Sequence, residues 1–269
     1  MAATKIEWAT DVWNPCTGCT PISAGCANCY AKRMASRLKG RFGYPAGKPF
    51  KVTLHPEKLD EPLRWKKPRR VFVCSMGDLF HEDVPDGFIS QVFGVMSLAW
   101  EHTFIVLTKR PQRMAEWLRT ACEKVHDASR PIAEIIQCRS HSRNLWPLPN
   151  LWLGTTAENQ TAYEDRIEWL LKCPATVTFL SLEPLLGPID LTATYATHDG
   201  LRGRIHWLIA GPETGPRARP CNPDWIGSAI NQAKAAGIKV FVKAFPLKDR
   251  VSKDPESWPG WANLQELPK

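Results

Sequence analysis

Four cysteines, Cys16, Cys19, Cys26 and Cys29, fall within fourteen residues in the pattern C-x2-C-x6-C-x2-C. Gly18, Pro21 and Gly25 interrupt regular structure between them. The segment therefore reads as a loop that can turn several thiols toward one point. The next residues, Tyr30 to Leu38, have helical spacing, which predicts a soft-metal site at the lip of a helix. Two chemistries suit the thiols. Four thiolates can close a tetrahedral zinc site. Three or four can carry an iron–sulfur cluster. A structural zinc staple serves small domains that lack a core, and a chain of 269 residues has ample material for one. A loop that follows a first strand and faces polar strand ends suits a catalytic cluster better. Zinc stays open as the alternative.

The elements that must position this loop follow a regular rhythm. A short strand ending at Val12-Trp13 leads into the cysteines. Further apolar strands are expected over residues 71–75, 104–107, 151–153, 177–180, 205–209 and 239–242. Helical stretches are expected over 88–100, 111–125, 163–173 and 223–236, the last stopped by Gly237. Short apolar strands alternating with helices predict a parallel sheet buried on both faces. No G-x-G-x-x-G follows the first strand, which weighs against a dinucleotide-binding sheet. The expected fold class is α/β: a single-domain, partial β/α TIM-like barrel over residues 1–269. Loop excursions are expected at 40–70, 126–150 and 191–204, with a C-terminal cap over 246–269. The 126–150 stretch holds His126, Cys138 and His141 without ligand spacing and reads as a variable loop.

Polar residues resume where strands end: Ser75 and Asp78, Thr108 and Lys109, Thr155 with Glu158 and Asn159, Glu183, Glu213, and Lys243. In a β/α barrel those ends meet at one mouth, where such folds carry their sites. Any one of these residues could simply mark the return of polarity after a strand. Six strands ending this way point to a site.

Composition narrows the class. The chain is 43% hydrophobic and 23% charged, with net charge +8. That is ordinary for a globular protein and permits a polyanionic partner. The densest basic run, Arg64 to Arg70 with Trp65 inside it, reads as a solvated approach to the next strand or as a phosphate-contacting edge. Most of the twelve tryptophans are expected in the core, a few as stacking platforms. No apolar run has membrane-span length and no apolar signal core opens the chain, so a cytoplasmic protein without a membrane partner is expected. Nine cysteines then argue for metal binding over disulfides.

The motifs taken together resemble a known family. They are Trp13-Asn14-Pro15, Cys19-x6-Cys26-x2-Cys29-Tyr30-Ala31, Phe72-Val-Cys-Ser75-Met-x-Asp78-Leu-Phe80 and Leu107-Thr-Lys109-Arg110-Pro111. To these add Ser181-Leu-Glu183-Pro184, Gly211-x-Glu213-x-Gly215 with Arg219-Pro220, and Val240-Phe-Val-Lys243. The set resembles a phage-associated family of three-cysteine-motif proteins placed with the radical S-adenosylmethionine enzymes, over residues 5 to 245. The first cysteine gap is longer than the common radical C-x3-C-x2-C spacing, while the C-x2-C half is kept. The resemblance implies that Cys19, Cys26 and Cys29 hold a 4Fe-4S cluster, with Cys16 a bystander or spare ligand. The fourth iron would bind the amino and carboxylate groups of S-adenosyl-L-methionine, and reductive cleavage would give a 5′-deoxyadenosyl radical. It further implies cofactor contacts from Tyr30, Ser75, Thr155, Thr156, Asn159, Glu183, Gly211 and Glu213. Asp78, Lys109, Glu183 and Lys243 become candidates for catalysis on the substrate. Arg110, Arg217 and Arg219 would join Lys109 at an anionic group, unless Lys109 and Lys243 pair with Glu183 and Glu213. A flavodoxin or ferredoxin is the expected electron donor. The basic balance and the phage association point to a nucleic-acid base or nucleotide as substrate. Two other classes compete: a non-catalytic zinc protein that binds nucleic acid, and a barrel hydrolase or lyase using Asp78, Glu183 and Glu213 as acid and base.

Overall fold

The computed structural model describes residue 4 and residues 6–135, 146–192, 203–248 and 250–268. Cys138 and His141 lie outside the described residues, as does most of the 191–204 loop. The fold is α/β, a partial β/α barrel built on a seven-stranded parallel sheet whose strand order follows the chain. The strands are β1 (Asp11–Trp13), β2 (Arg70–Val73), β3 (Thr103–Thr108), β4 (Leu151–Thr156), β5 (Val177–Leu182), β6 (Trp207–Ala210) and β7 (Lys239–Val242). The helices are α1 (Tyr30–Arg37), α2 (Asp86–Leu98), α3 (Pro111–Leu118), α4 (Ala121–Ile135), α5 (Gln160–Leu171) and α6 (Pro223–Ala235). Every residue of β4, β5 and β6 is buried, the signature of strands covered on both faces.

The chain gathers into two compact units. The first comprises Met1–Pro21, Cys29–Leu153 and Cys173–Thr176. In it β1 pairs β2 with Trp13 opposite Val73, and β2 pairs β3 with Val73 opposite Val106. Its core holds Trp13, Phe80, Phe93, Phe104 and Met114, all fully buried. Helices α2 and α4 cross closely at Gly94, where an added Cβ would lie 3.2 Å from the Ser129 amide nitrogen. The stretch expected as a variable loop from residue 126 is instead helical as far as Ile135. Helix α4 runs to Ile135, carrying Pro131 and burying Ser129. Within the 40–70 excursion, Thr53–Leu54 pairs antiparallel with Cys16–Thr17, which ties the excursion to the cysteine loop.

The second unit comprises Ile22–Asn28, Gly154–Lys172 and Val177–Lys269. Here β5 pairs β6 with Leu182 opposite Ala210, and β6 pairs β7 with Ala210 opposite Val242. The tail expected as a cap runs along β7. The Val242 amide donates to the Leu264 carbonyl, the Glu266 amide to the Val240 carbonyl, and Trp207 Nε1 to the Glu266 carbonyl at 2.9 Å. A strand edge that would otherwise expose its polar groups is thereby covered.

Candidate functional site

In the first unit the loop is shaped before Cys19 is reached. Gly18 has φ +86°, and a Cβ there would fall 2.2 Å from the Lys51 carbonyl oxygen, so only glycine fits. The Gly18 amide donates to the Met76 carbonyl at 2.9 Å, fixing the loop to the turn after β2. Asn14 Oδ1 accepts from the Met76 amide and from Ser75 Oγ. Ser75 thus braces the turn.

The four thiols divide. Cys16 is fully buried, its Sγ 3.3 Å from Sγ of the buried Cys74. That contact first, and burial second, push the Cys16 thiol well up. Cys19, Cys26 and Cys29 are half-buried, and none of the four is in a disulfide. Cys29 is the N-cap residue of α1, and Tyr30 stands 60% exposed on its first turn.

Arg110 closes over Cys19. Its Nη1 donates to Cys19 Sγ at 3.4 Å and to Asp78 Oδ2 at 3.2 Å. Its Nε donates to Glu82 Oε2 at 2.8 Å, and Nη2 to the carbonyl and hydroxyl of Thr20. Burial alone would lower the guanidinium pKa, but Asp78 and Cys19 outweigh it and raise it further. Asp78, 5% exposed, also accepts from Thr108 Oγ1, the Phe80 amide and the Lys109 amide. Both its oxygens are occupied, so its work is to hold Arg110 and the end of β3. His81 sits behind Thr20. Its Nδ1 accepts from the Asp83 amide, which leaves the proton on Nε2 to donate to Thr20 Oγ1 at 2.9 Å. Burial and Arg110 keep that imidazole neutral by lowering its pKa.

In the second unit the loop segment is tied to strand ends by carboxylates. Glu158, 1% exposed, accepts from the Gly25 amide at 3.1 Å and from Arg166 Nη1 at 3.0 Å. Glu213 accepts from Asn28 Nδ2 at 2.8 Å and from the Arg219 amide and Nε, both at 2.9 Å. Its second oxygen accepts from Arg219 Nη2 at 2.5 Å. Arg219 Nη1 reaches the Ala24 carbonyl, and Asn28 Nδ2 also reaches the Arg217 carbonyl. Hydrogen bonding from Arg219, with help from Asn28, holds the Glu213 carboxyl down at about 2 despite its burial.

Lys243 Nζ pairs with both Glu183 oxygens at 2.8 and 2.9 Å, the pairing that competed with a substrate role. Thr155 and Thr156 are buried at the end of β4. Asn159 Oδ1 accepts from the Ala162 amide and so caps α5. Gly211 donates to the Leu182 carbonyl and accepts from the Leu185 amide. A Cβ at Gly211 would stand 3.5 Å from the nearest atom, in ordinary contact. Lys109, whose amide reaches Asp78, stands at the end of β3.

The basic run at 64–70 is largely consumed locally. Arg69 stacks on Trp65 and pairs with Asp11, Arg64 pairs with Asp60, and Arg70 Nε reaches the Trp8 carbonyl. Sequence reasoning left Asn28 and Arg166 unmentioned and placed Arg110 and Arg219 only at an anionic group. Asn28 meets its carboxylate 185 residues away and Arg110 meets Asp78 32 residues away, whereas Arg166 and Arg219 find theirs 8 and 6 residues away. Among the described residues no three His, Cys, Asp or Glu side chains already converge at metal-binding distance. No described helix is long and apolar enough to cross a membrane.

No curated protein matches the chain, and no solved structure does. A family model, DUF5131, described as a protein of unknown function, matches residues 3–254.

Proposed function

We propose, from the premise that this chain belongs to the DUF5131 family of unknown function, that it is a radical S-adenosylmethionine enzyme. In this reading Cys19, Cys26 and Cys29 would hold a 4Fe-4S cluster. The observation that carries the reading is the sorting of the thiols. Three cysteines with x6, x2 spacing and no disulfide are half-buried, while the extra Cys16 is buried against Cys74. The donor set fits an iron–sulfur centre with one position left open, since three thiolates are offered and the fourth is withdrawn. A partial β/α barrel with polar strand ends supports the same reading.

When bound, the cluster and S-adenosylmethionine would supply a 5′-deoxyadenosyl radical for hydrogen abstraction. The chain's own residues would orient and shield. Arg110 holds a fixed cation against Cys19 and donates a hydrogen bond to its sulfur, the kind of outer contact that tunes a metal-bound thiolate. Asp78 and Glu82 hold that guanidinium in place, making them positioning residues. Glu158 and Glu213 pin the segment that bears Cys26. Thr155 and Thr156, buried at the end of β4, would back a nucleoside or amino-acid group bound at that strand end. The Lys243–Glu183 pair offers one charge of each sign once it is opened by substrate.

The test is anaerobic purification with iron, sulfide and zinc analysis. It compares wild type, a C19A/C26A/C29A triple variant and Cys16→Ala. About four irons per chain, lost in the triple variant and kept in Cys16→Ala, support the reading. Stoichiometric zinc without iron after anaerobic reconstitution refutes it.

A further inference from the structure

Residues 12–56 contain no aspartate or glutamate and seven lysines and arginines, so this stretch carries seven of the chain's eight net positive charges. Six of the seven, Lys32, Arg37, Lys39, Arg41, Lys48 and Lys51, are exposed; Arg33 is half-buried. All lie in the first unit. Helix α1 turns Ala31 and Ala35 inward and leaves Tyr30, Lys32 and Arg37 outward. Beyond it the chain closes a tight loop. The Arg41 amide donates to the Leu38 carbonyl, the Tyr44 amide to the Arg41 carbonyl, and the Gly40 amide to the Tyr44 carbonyl. Arg41 Nη2 reaches back to the Arg37 carbonyl at 2.8 Å, which joins loop to helix.

At the tip of this loop stands Phe42, 74% exposed and held at φ +53°. A phenylalanine in the left-handed region is unfavourable, and an exposed ring gains nothing from the core. Tyr30, 60% exposed, stands on the first turn of α1, the helix to which Arg41 ties this loop, so its ring belongs to the same face. Two exposed aromatic rings set among exposed cations suit a single nucleic-acid strand. Phosphates meet the lysines and arginines, and unpaired bases stack on the rings. A duplex presents its phosphates but keeps its bases stacked away from such rings.

We propose that the face formed by α1 and the 38–51 loop binds single-stranded nucleic acid, with Phe42 and Tyr30 as base-stacking platforms. This goes beyond the cluster reading and stands without it, because it uses none of the three cysteines. If both hold, α1, which begins directly after Cys29, would lead a strand to the cysteine loop.

The experiment is fluorescence anisotropy on the full-length protein. The probes are labelled single-stranded DNA and RNA of about 16 nucleotides, the matching duplex, and a polyglutamate of similar charge. Salt is varied from about 50 to about 200 mM. Two variants are compared with wild type: Phe42→Ala, and a K32Q/R37Q/K39Q/R41Q quadruple variant. All five positions concerned are on the surface, and thermal melts check that each variant is folded. Phe42→Ala should weaken single-strand binding about 5- to 100-fold while leaving the salt slope and duplex binding unchanged. The quadruple variant should reduce the salt slope by about 3, near 0.7 for each phosphate contact removed. A preference between the two single strands identifies which one the face takes. The proposal is overturned if single strands do not bind at the lowest salt. It is also overturned if polyglutamate binds as tightly as the oligonucleotide with no loss in Phe42→Ala, which would mark the face as a dock for an acidic protein.

Discussion

Glu213→Gln removes one charge and keeps the shape of the side chain, so it isolates what the carboxylate contributes. In the wild type that carboxylate accepts four N–H groups, three from Arg219 and one from Asn28. Its side chain is 5% exposed and that of Arg219 34% exposed. The fall of the Glu213 pKa from its ordinary 4.5 to about 2 corresponds to roughly 3 kcal/mol if fully realised. Solvent screening at the third-exposed Arg219 reduces the expected figure to about 2 kcal/mol. The sign follows from a depressed carboxylate. The contribution is complete above the unfolded value of 4.5 and is lost as pH falls from there toward about 2. Urea unfolding of both proteins at pH 7 should therefore show the variant about 2 kcal/mol less stable. By pH 3 the gap should have narrowed by about half. The same variant should alkylate faster at Cys26, because Arg219 and Asn28 tie down Ala24 to Asn28 through this one group. A gap of the same size at both pH values would refute the ionic account. No gap at all would show that the tether carries no free energy.

Three further outcomes test other parts of the site. Arg110→Met should leave Asp78 buried without its cation and cost about 3 kcal/mol, read by chemical unfolding; a loss under about 1 kcal/mol would place Arg110 among screened surface pairs. Asn159→Ala removes the cap of α5 and should cost about 1 kcal/mol, seen as a lower midpoint in thermal melts, while Asn159→Asp should restore most of it. A double-mutant cycle on Lys243→Ala and Glu183→Ala should give a coupling of about 1 kcal/mol, since the two side chains are 20% and 18% exposed; zero coupling would release both for substrate contact.

Much of this architecture was readable from residue order. Apolar runs bounded by Pro and Gly placed all seven strands, because a strand buried on both faces must be apolar throughout. The end of α4 was not readable. Its 126–132 stretch carries Asp127, Ser129 and Pro131, which look like a loop, yet it is helical and buries Ser129 where it crosses Gly94. At the site, the pairing of Lys243 with Glu183 had been weighed from strand-end chemistry and is found in the structure. The clasp of Glu213 by Asn28 and Arg219 was not foreseen, because one partner lies 185 residues away and nothing local marks it. The run at 64–70 attracted attention by its density, yet two of its five cations are paired with nearby carboxylates and a third reaches the Trp8 carbonyl. The thinner but acid-free stretch before it is where exposed charge accumulates.

That unevenness makes the net charge of +8 a misleading average. Outside residues 12–56 the chain is almost neutral, so its positive charge sits off-centre rather than spread evenly as on a uniformly basic sphere. A polyanion would feel torque before contact, turning α1 toward it. On a cation-exchange column the protein would be retained through one face, in one orientation. Neutralising that face would bring elution close to that of an uncharged protein, although most of its lysines and arginines would remain.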